Sequence, residues 1–163
     1  MSVLCGTNTG KVYLYSLKKK RLAAIRGDAK PSNRIVGLDW LDSSAFGNKS
    51  ETGQEVVYAN EKGELVFTRM DDALKTTGEQ IGENACIGIQ HYGKSVVVAS
   101  SAGELSLITL GFDKNDGIYE VANNCRIFSE RALPNLISIE KSDLGFSRLA
   151  CLCQDKPPVV IFY

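Results

Sequence analysis

The sequence is poor in the residues that catalytic and metal sites need. Its 163 residues include a single histidine, His91, and a single tryptophan. The short motifs of zinc proteases, serine hydrolases and P-loop nucleotide enzymes are absent, so the sequence has no recognisable set of nucleophile and base. We therefore predict a protein that is not an enzyme, with no catalytic residue and no cofactor. His91 is interpreted as a hydrogen-bonded histidine at the end of a strand.

An excess of charge and a long apolar run are also missing. Nineteen Lys and Arg residues balance nineteen Asp and Glu residues, so a general attraction to nucleic acid or to an acidic membrane is not expected. No apolar run approaches the ~18 residues that span a bilayer. Residues 1–6 do not have the pattern of a secretory signal. These absences predict a soluble protein that is not secreted and has no membrane partner.

Cysteine is present in an odd number and at wide spacings, which argues against a disulfide framework. A structural zinc site needs about four convergent Cys or His ligands, and no such set is apparent. The Asp113–Gly117 segment hints at a calcium loop but lacks the closing Glu, so we interpret it as a turn. We predict no metal, and reduced thiols at five positions: Cys5, Cys86, Cys125, Cys151 and Cys153.

An internal repeat decides the fold. Segments 3–15, 56–68 and 96–108 align without gaps, and each has an apolar run, a polar turn that ends in glycine, and a second apolar run. A fourth copy over 149–163 fits if its turn is one residue longer. Each copy predicts a β-hairpin, because glycine adopts the positive φ that tight turns require. The three turn glycines are Gly10, Gly63 and Gly103.

Further strands are predicted on both sides of these hairpins. Strand-like runs precede the last three hairpins at 34–41, 86–89 and 136–139, and others follow hairpins at 21–25 and 125–128, with a weaker counterpart at 74–77. A period of about 40 residues with four strands per unit is typical of a β-propeller blade. The sequence therefore predicts an all-β chain, a single propeller segment over 1–163. Its predicted blades lie at 3–26, 34–78, 85–129 and 135–163.

The hairpins at 4–12 and 97–105 resemble the second and third blade strands of the WD-repeat propeller family. That family ends its third strand with Trp-Asp, where this sequence has Tyr15-Ser16, Phe67-Thr68 and Ile108-Thr109. The family's Gly-His pair is missing as well. The resemblance therefore implies a WD-repeat-like propeller without the family's His–Asp–Trp hydrogen-bond network.

Three segments of the sequence resemble a narrower group within the WD-repeat family. Residues 5–10, 17–21 and 36–40 are similar to the start of the eukaryotic nucleolar WD-repeat factors that assemble the large ribosomal subunit. The resemblance implies a nuclear, nucleolar scaffold with pre-ribosomal assembly factors as partners. That family recruits a remodelling ATPase through a basic C-terminal tail that this sequence lacks, so that contact is not carried over. A propeller scaffold or substrate receptor in an unrelated complex, with a cytoplasmic location, stays an alternative.

The predicted strands form an incomplete ring. They number three, four, four and three, or about three and a half blades, whereas propellers close with four to eight blades. Half a ring leaves an apolar blade face exposed at each end. Three modes of ring closure stay open: a missing C-terminal half, self-association, or another chain.

Two groups of charged residues are candidates for binding. The basic run of Lys18, Lys19, Lys20 and Arg21 is predicted at the turn from third to fourth strand, either as a solvated turn or as a contact to RNA phosphates, including rRNA. The turns after the second strands share the other face with the connections between blades, and both signs of charge there suit a protein partner. The partner-binding candidates on that face are Asn8, Arg26, Asp28, Lys30, Glu61, Lys62 and Arg131. The 42–54 insertion is predicted on the opposite face, as a polar segment.

Overall fold

The computed structural model describes residues 1–27, 33–41, 43–46, 55–70, 76–129, 134–141, 147–153 and 156–162. These residues form fourteen strands and one 3₁₀ turn at Ser43–Phe46. The strands are β1 (Ser2–Gly6), β2 (Val12–Ser16), β3 (Arg21–Arg26), β4 (Ile35–Trp40), β5 (Glu55–Asn60), β6 (Glu64–Arg69), β7 (Thr76–Gln80), β8 (Cys86–Tyr92), β9 (Ser95–Ser100), β10 (Glu104–Asp113), β11 (Ile118–Ser129), β12 (Pro134–Lys141), β13 (Ser147–Cys153) and β14 (Lys156–Phe162). No helix in the described ranges is long and apolar enough to cross a membrane.

The strands form four separate antiparallel sheets, each built from strands that are consecutive in the chain. Sheet 1 contains β1–β3, sheet 2 contains β4–β7, sheet 3 contains β8–β11, and sheet 4 contains β12–β14. The predicted count of three, four, four and three strands is confirmed. The turn glycines Gly10, Gly63 and Gly103 have φ of +84°, +81° and +82°, as the hairpin prediction requires.

The four sheets stack in chain order, with their first strands close together. β8 packs between β4 and β12, and β1 contacts β4. A Cβ at Gly37 of β4 would lie 2.9 Å from Cγ1 and 3.1 Å from the backbone nitrogen of Ile89 on β8, so only glycine allows this approach. In the described part of the chain, sheets 1 and 4 do not pack against each other. The arrangement is therefore open between its two end sheets.

Two apolar clusters hold the first three sheets together. Between sheets 1 and 2, Val12 and Leu14 pack with Val56, Tyr58 and Val66. Between sheets 2 and 3, the buried cluster includes Val57, Leu65, Phe67, Val96, Val98 and Ile108. Because successive side chains of a strand point to opposite faces, those of β5 lie alternately in the two clusters, and the strand is buried along its whole length.

The outer strands of sheets 2 and 3 differ from the prediction. β7 runs over Thr76–Gln80 rather than 74–77, of which residues 74 and 75 lie outside the described residues. β11 begins at Ile118 instead of residue 125, because β10 and β11 extend beyond the sheet as a long hairpin. Its turn is closed by Asp113, whose Oδ1 accepts a hydrogen bond from the backbone of Asn115 at 2.8 Å. This bond agrees with the interpretation of the segment as a turn.

The connection between β4 and β5 also differs from the prediction. Ser43–Phe46 forms the 3₁₀ turn, and Phe46 is buried in the cluster between sheets 2 and 3. Its ring meets Tyr119 of β11 edge-on, with 5.2 Å between the centroids. The prediction of a polar insertion is therefore wrong for this part, while residue 42 and residues 47–54 lie outside the described residues.

Candidate protein-interaction surfaces

One face of the molecule carries the β1–β2, β5–β6 and β9–β10 turns together with the connections between sheets. We define it as the turn face, formed by residues 7–11, 26–27, 33–34, 60–64, 81–85 and 100–104. Backbone hydrogen bonds join the two kinds of segment: Glu61 donates to the Arg34 carbonyl at 2.9 Å, and Ser101 donates to the Ala85 carbonyl at 2.8 Å. The turns and connections therefore form one braced surface, in which each turn is hydrogen-bonded to a neighbouring connection.

The same side-chain hydrogen bond closes each of the three turns. The Oγ1 of Thr7 accepts from the backbone of Lys11 at 2.9 Å, and the Oδ1 of Asn60 accepts from the backbone of Glu64 at 3.1 Å. The Oγ of Ser100 accepts from the backbone of Glu104 at 3.3 Å. Each of these bonds closes its turn from within the same hairpin. A Thr, Asn or Ser three residues before the turn glycine was a signal for this motif in the aligned repeats.

The turn face brings together some of the predicted partner-binding residues. Asn8 and Lys62 are exposed at the tips of two turns, and Glu61 beside Lys62 is half-buried. The Lys62 backbone donates to the Asn60 side chain at 3.0 Å, so the position of this charged pair is set by a buried residue. The other candidates Asp28, Lys30 and Arg131 lie outside the described residues.

Arg26, a further candidate, makes its contacts within the chain. Its Nε donates to the Arg69 carbonyl at 2.9 Å, and one terminal nitrogen donates to the Met70 carbonyl at 2.6 Å. The other terminal nitrogen donates to the Ile25 carbonyl at 2.7 Å. Because the guanidinium joins sheet 1 to the end of β6, Arg26 has a bridging role that sequence reasoning missed. No sequence pattern pointed to it, since the acceptors are backbone carbonyls.

A polar cleft opens on the turn face between sheets 1 and 2. Its volume is about 450 Å³, and the side chains of Arg26, Asn33, Asn60 and Glu64 contribute to its walls. The Oδ1 of Asn33 is buried and has no hydrogen-bond partner within the described residues. A partner that inserts a hydrogen-bond donor here would satisfy this oxygen, which is otherwise costly to leave unpaired.

The basic run occupies the opposite rim of sheet 1. Lys18, Lys19 and Lys20 form the turn between β2 and β3, Arg21 begins β3, and all four are exposed. Lys20 has φ of +49°, which turns the chain sharply, and the Lys19 backbone donates to the Ser16 hydroxyl at 3.2 Å. None of the four cations forms an ion pair with another described residue. Their charges are therefore presented to solvent.

Of the three cysteines whose surroundings are described, Cys5 and Cys125 are exposed and Cys86 is buried. Burial raises the pKa of the Cys86 thiol to about 11, because the thiolate is poorly solvated inside the protein. We expect iodoacetamide at pH 8 to modify Cys125 at least about 100-fold faster than Cys86, since the thiolate is the reacting form. Peptide mapping by mass spectrometry measures the two rates, and equal rates in the folded protein would contradict the buried position of Cys86.

The sequence matches no known protein family and no curated protein. Solved structures do resemble the fold. BBS1N, solved in complex with ARL6DN, aligns with a TM-score of 0.69 and 12% identity over 98% of this chain and 46% of that chain. The computationally designed Ika4 protein aligns with a TM-score of 0.65 and 11% identity over 99% of this chain and 84% of that one.

A third structure, the C-terminal WD40 domain of Sif2, is 18% identical over 68% of this chain and 31% of that chain, with a TM-score of 0.49. The fold is an all-β propeller, present as an open segment of about three and a half blades. Sheets 1–4 are its blades, and the chain spans less than half the length of BBS1N.

Proposed function

We propose that this protein is a non-enzymatic scaffold that binds protein partners on the turn face. The observation that carries the proposal is the braced surface itself, where hydrogen-bonded turns hold charges of both signs beside a polar cleft. A rigid surface of this kind loses little conformational entropy on binding, and its mixed charges favour one register of the partner over others. The structure of BBS1N in complex with ARL6DN supports the proposal, because a related fold there holds another protein.

The finer proposal is a nucleolar scaffold in assembly of the large ribosomal subunit. Its support is the similarity of residues 5–10, 17–21 and 36–40 to the start of the nucleolar WD-repeat factors. The alternative is a scaffold in an unrelated, cytoplasmic complex.

Affinity purification of the tagged chain from nuclear extract, at moderate salt and with mass spectrometry of the bound proteins, tests the finer proposal. Large-subunit ribosomal proteins and their assembly factors are the expected result. Recovery of ligase or trafficking subunits in their place would overturn the ribosomal assignment and leave the scaffold proposal intact.

Charge exchange tests the proposed surface. The double variant Glu61→Lys with Lys62→Glu keeps the net charge of the chain but reverses the pair, and we expect about a tenfold loss of affinity for the recovered partner. The matched control is Lys114→Glu with Glu120→Lys, because both residues are exposed at the tip of the β10–β11 hairpin on the opposite rim. Equal affinities of the two double variants would exclude the turn face as the binding site.

The exposed basic rim favours a second candidate function, contact with RNA phosphates. Single-stranded polyuridine is a suitable probe, since phosphate contacts need no sequence recognition. We expect the variant with Lys18, Lys19 and Lys20 replaced by Gln to bind with a weaker salt dependence. The slope of the logarithm of the association constant against the logarithm of the salt concentration should become less negative by about 0.7 for each phosphate that the variant no longer neutralises. Lys62→Gln on the turn face is the control. An unchanged slope in the triple variant would exclude the rim as an RNA contact.

A further inference from the structure

The repeat alignment defines two faces for every sheet. We call the face that points to the preceding sheet the N-face and the one that points to the following sheet the C-face. Val3, Val56 and Val96 are equivalent by alignment and lie on the N-faces of sheets 1, 2 and 3. Val56 and Val96 are 0% exposed, whereas Val3 is 41% exposed.

The difference arises because each covered N-face packs on the C-face of the sheet before it. Val56 of sheet 2 packs with Val12 and Leu14 of sheet 1. In the same way, Val96 of sheet 3 packs with Phe67 of sheet 2. Within the described part of the chain, nothing occupies the corresponding position on sheet 1.

The uncovered N-face of sheet 1 is broad and apolar. Strand register places Tyr15 opposite both Val3 and Leu22, and Tyr13 opposite both Cys5 and Ile25. Exposed apolar side chains therefore run across all three strands of the sheet: Val3, Tyr15, Leu22 and Ile25. Contiguous patches of this kind mark interaction sites on soluble proteins.

We propose that a second copy of this chain covers this face with the C-face of its sheet 4. Every contact between neighbouring sheets in the first three sheets joins an N-face to a C-face, and sheet 4 has no described sheet packed beyond it. A twofold axis makes the same contact twice, so the N-face of sheet 1 is covered in both copies. The result is a closed ring of eight sheets, at the upper end of the usual range of four to eight blades.

The size of the contact suits a dimer that dissociates on dilution. A face of three five-residue strands measures about 17 Å by 14 Å, or roughly 240 Å² in projection. The two junctions join four such faces, about 1,000 Å² before surface relief is counted, near the lower limit of about 1,200 Å² for stable interfaces. Association should therefore depend on protein concentration.

Sedimentation equilibrium over a range of concentrations tests the proposal. For the wild type the mass is expected to rise with concentration from the monomer mass to twice that mass, whereas Val3→Glu with Tyr15→Glu should keep the monomer mass at the same concentrations. Both side chains are exposed in the single chain, so circular dichroism should show an unchanged fold. Ile87→Glu is the control, since Ile87 is 38% exposed on sheet 3, away from this face, and the variant should remain dimeric.

Cysteine reactivity gives a second test that needs no variant. Cys5 lies on the N-face of sheet 1 and Cys125 on the outer strand of sheet 3. Alkylation of Cys5 should slow at least about fivefold between dilute and concentrated protein, while that of Cys125 stays constant. A monomer at all concentrations, an assembly larger than two, a double variant that still dimerises, or a constant Cys5 rate would each overturn the proposal. If the protein is a monomer, the N-face of sheet 1 is instead a candidate binding site for a different protein.

Discussion

Replacing Leu65 with alanine is expected to lower the free energy of unfolding by about 2–5 kcal/mol. Leu65 is 0% exposed and lies in the cluster that joins sheets 2 and 3. Its neighbours there belong to two different sheets, so the removed methyl groups leave a cavity that one sheet alone cannot fill. Urea denaturation followed by circular dichroism measures the loss, and an unchanged m-value would show that the same surface is exposed on unfolding.

The matched control is Leu17→Ala, the same chemical change at an exposed site. Leu17 is 40% exposed, just after the end of β2. We expect its loss to stay within about 0.5 kcal/mol, as for most surface substitutions. Equal losses at Leu65 and Leu17 would contradict the assignment of the core to the junction between sheets 2 and 3.

The variant Tyr119→Phe is expected to cost about 1–3 kcal/mol, although it removes a single oxygen atom. The Tyr119 hydroxyl donates to Oε2 of Glu55 at 2.5 Å, and Glu55 is only 2% exposed. Without this donor, the buried carboxylate loses a partner that water cannot readily replace. The ring contacts of Tyr119 with Phe46 and Phe112 are retained, so the loss comes from the hydroxyl.

Two further variants separate this hydrogen bond from other effects. Tyr15→Phe makes the same change at a ring that is 39% exposed in the single chain, and at concentrations where the protein is monomeric its effect should stay within about 0.5 kcal/mol. A double-mutant cycle of Tyr119→Phe with Glu55→Gln should give a coupling of about 0.5–3 kcal/mol. Additive losses would show that the two side chains do not stabilise each other.

The hairpins were predictable from sequence because their signal is local. A glycine with positive φ between two apolar runs fixes both the turn and the pairing of the flanking strands, as at Gly10, Gly63 and Gly103. The count of strands also predicted an exposed apolar blade face at each end, and Val3 and Tyr15 are exposed on the face at the N-terminal end. The hairpin signal depends on residues within about a dozen positions of each other.

Outer strands were harder to predict because their side chains are largely solvated. β7 has the sequence TTGEQ, and most of β11 alternates weakly between apolar and polar residues, so period-2 patterning is faint. β11 is set by long-range contacts: Thr77 donates to the Tyr119 carbonyl at 2.9 Å, and Val121 donates to Glu79 at 2.7 Å. Contacts between sheets cannot be read from the pattern of apolar and polar residues within one strand.

The position of the turn face could be predicted from the sequence, whereas partner binding there stays a prediction. This position followed from the order of strands in a blade, and Asn8 and Lys62 are exposed there. The bridging role of Arg26 and the burial of Glu55 depend on how one sheet packs on the next, which the sequence of either sheet does not specify. The bonds made by Thr7, Asn60 and Ser100 were detectable, since the repeat alignment places the three residues at one position.

The chain-order topology also has a consequence for synthesis on the ribosome. Every described strand pairs only with strands adjacent in the sequence, so sheet 2 can form as soon as residues 35–80 have left the exit tunnel. Its C-face, with Val57 and Phe67, then stays uncovered until sheet 3 emerges. At translation rates of about 5–20 residues per second, the roughly 40 residues of sheet 3 take about 2–8 s to appear. During that interval the nascent chain exposes an apolar surface that is prone to aggregation until sheet 3 covers it.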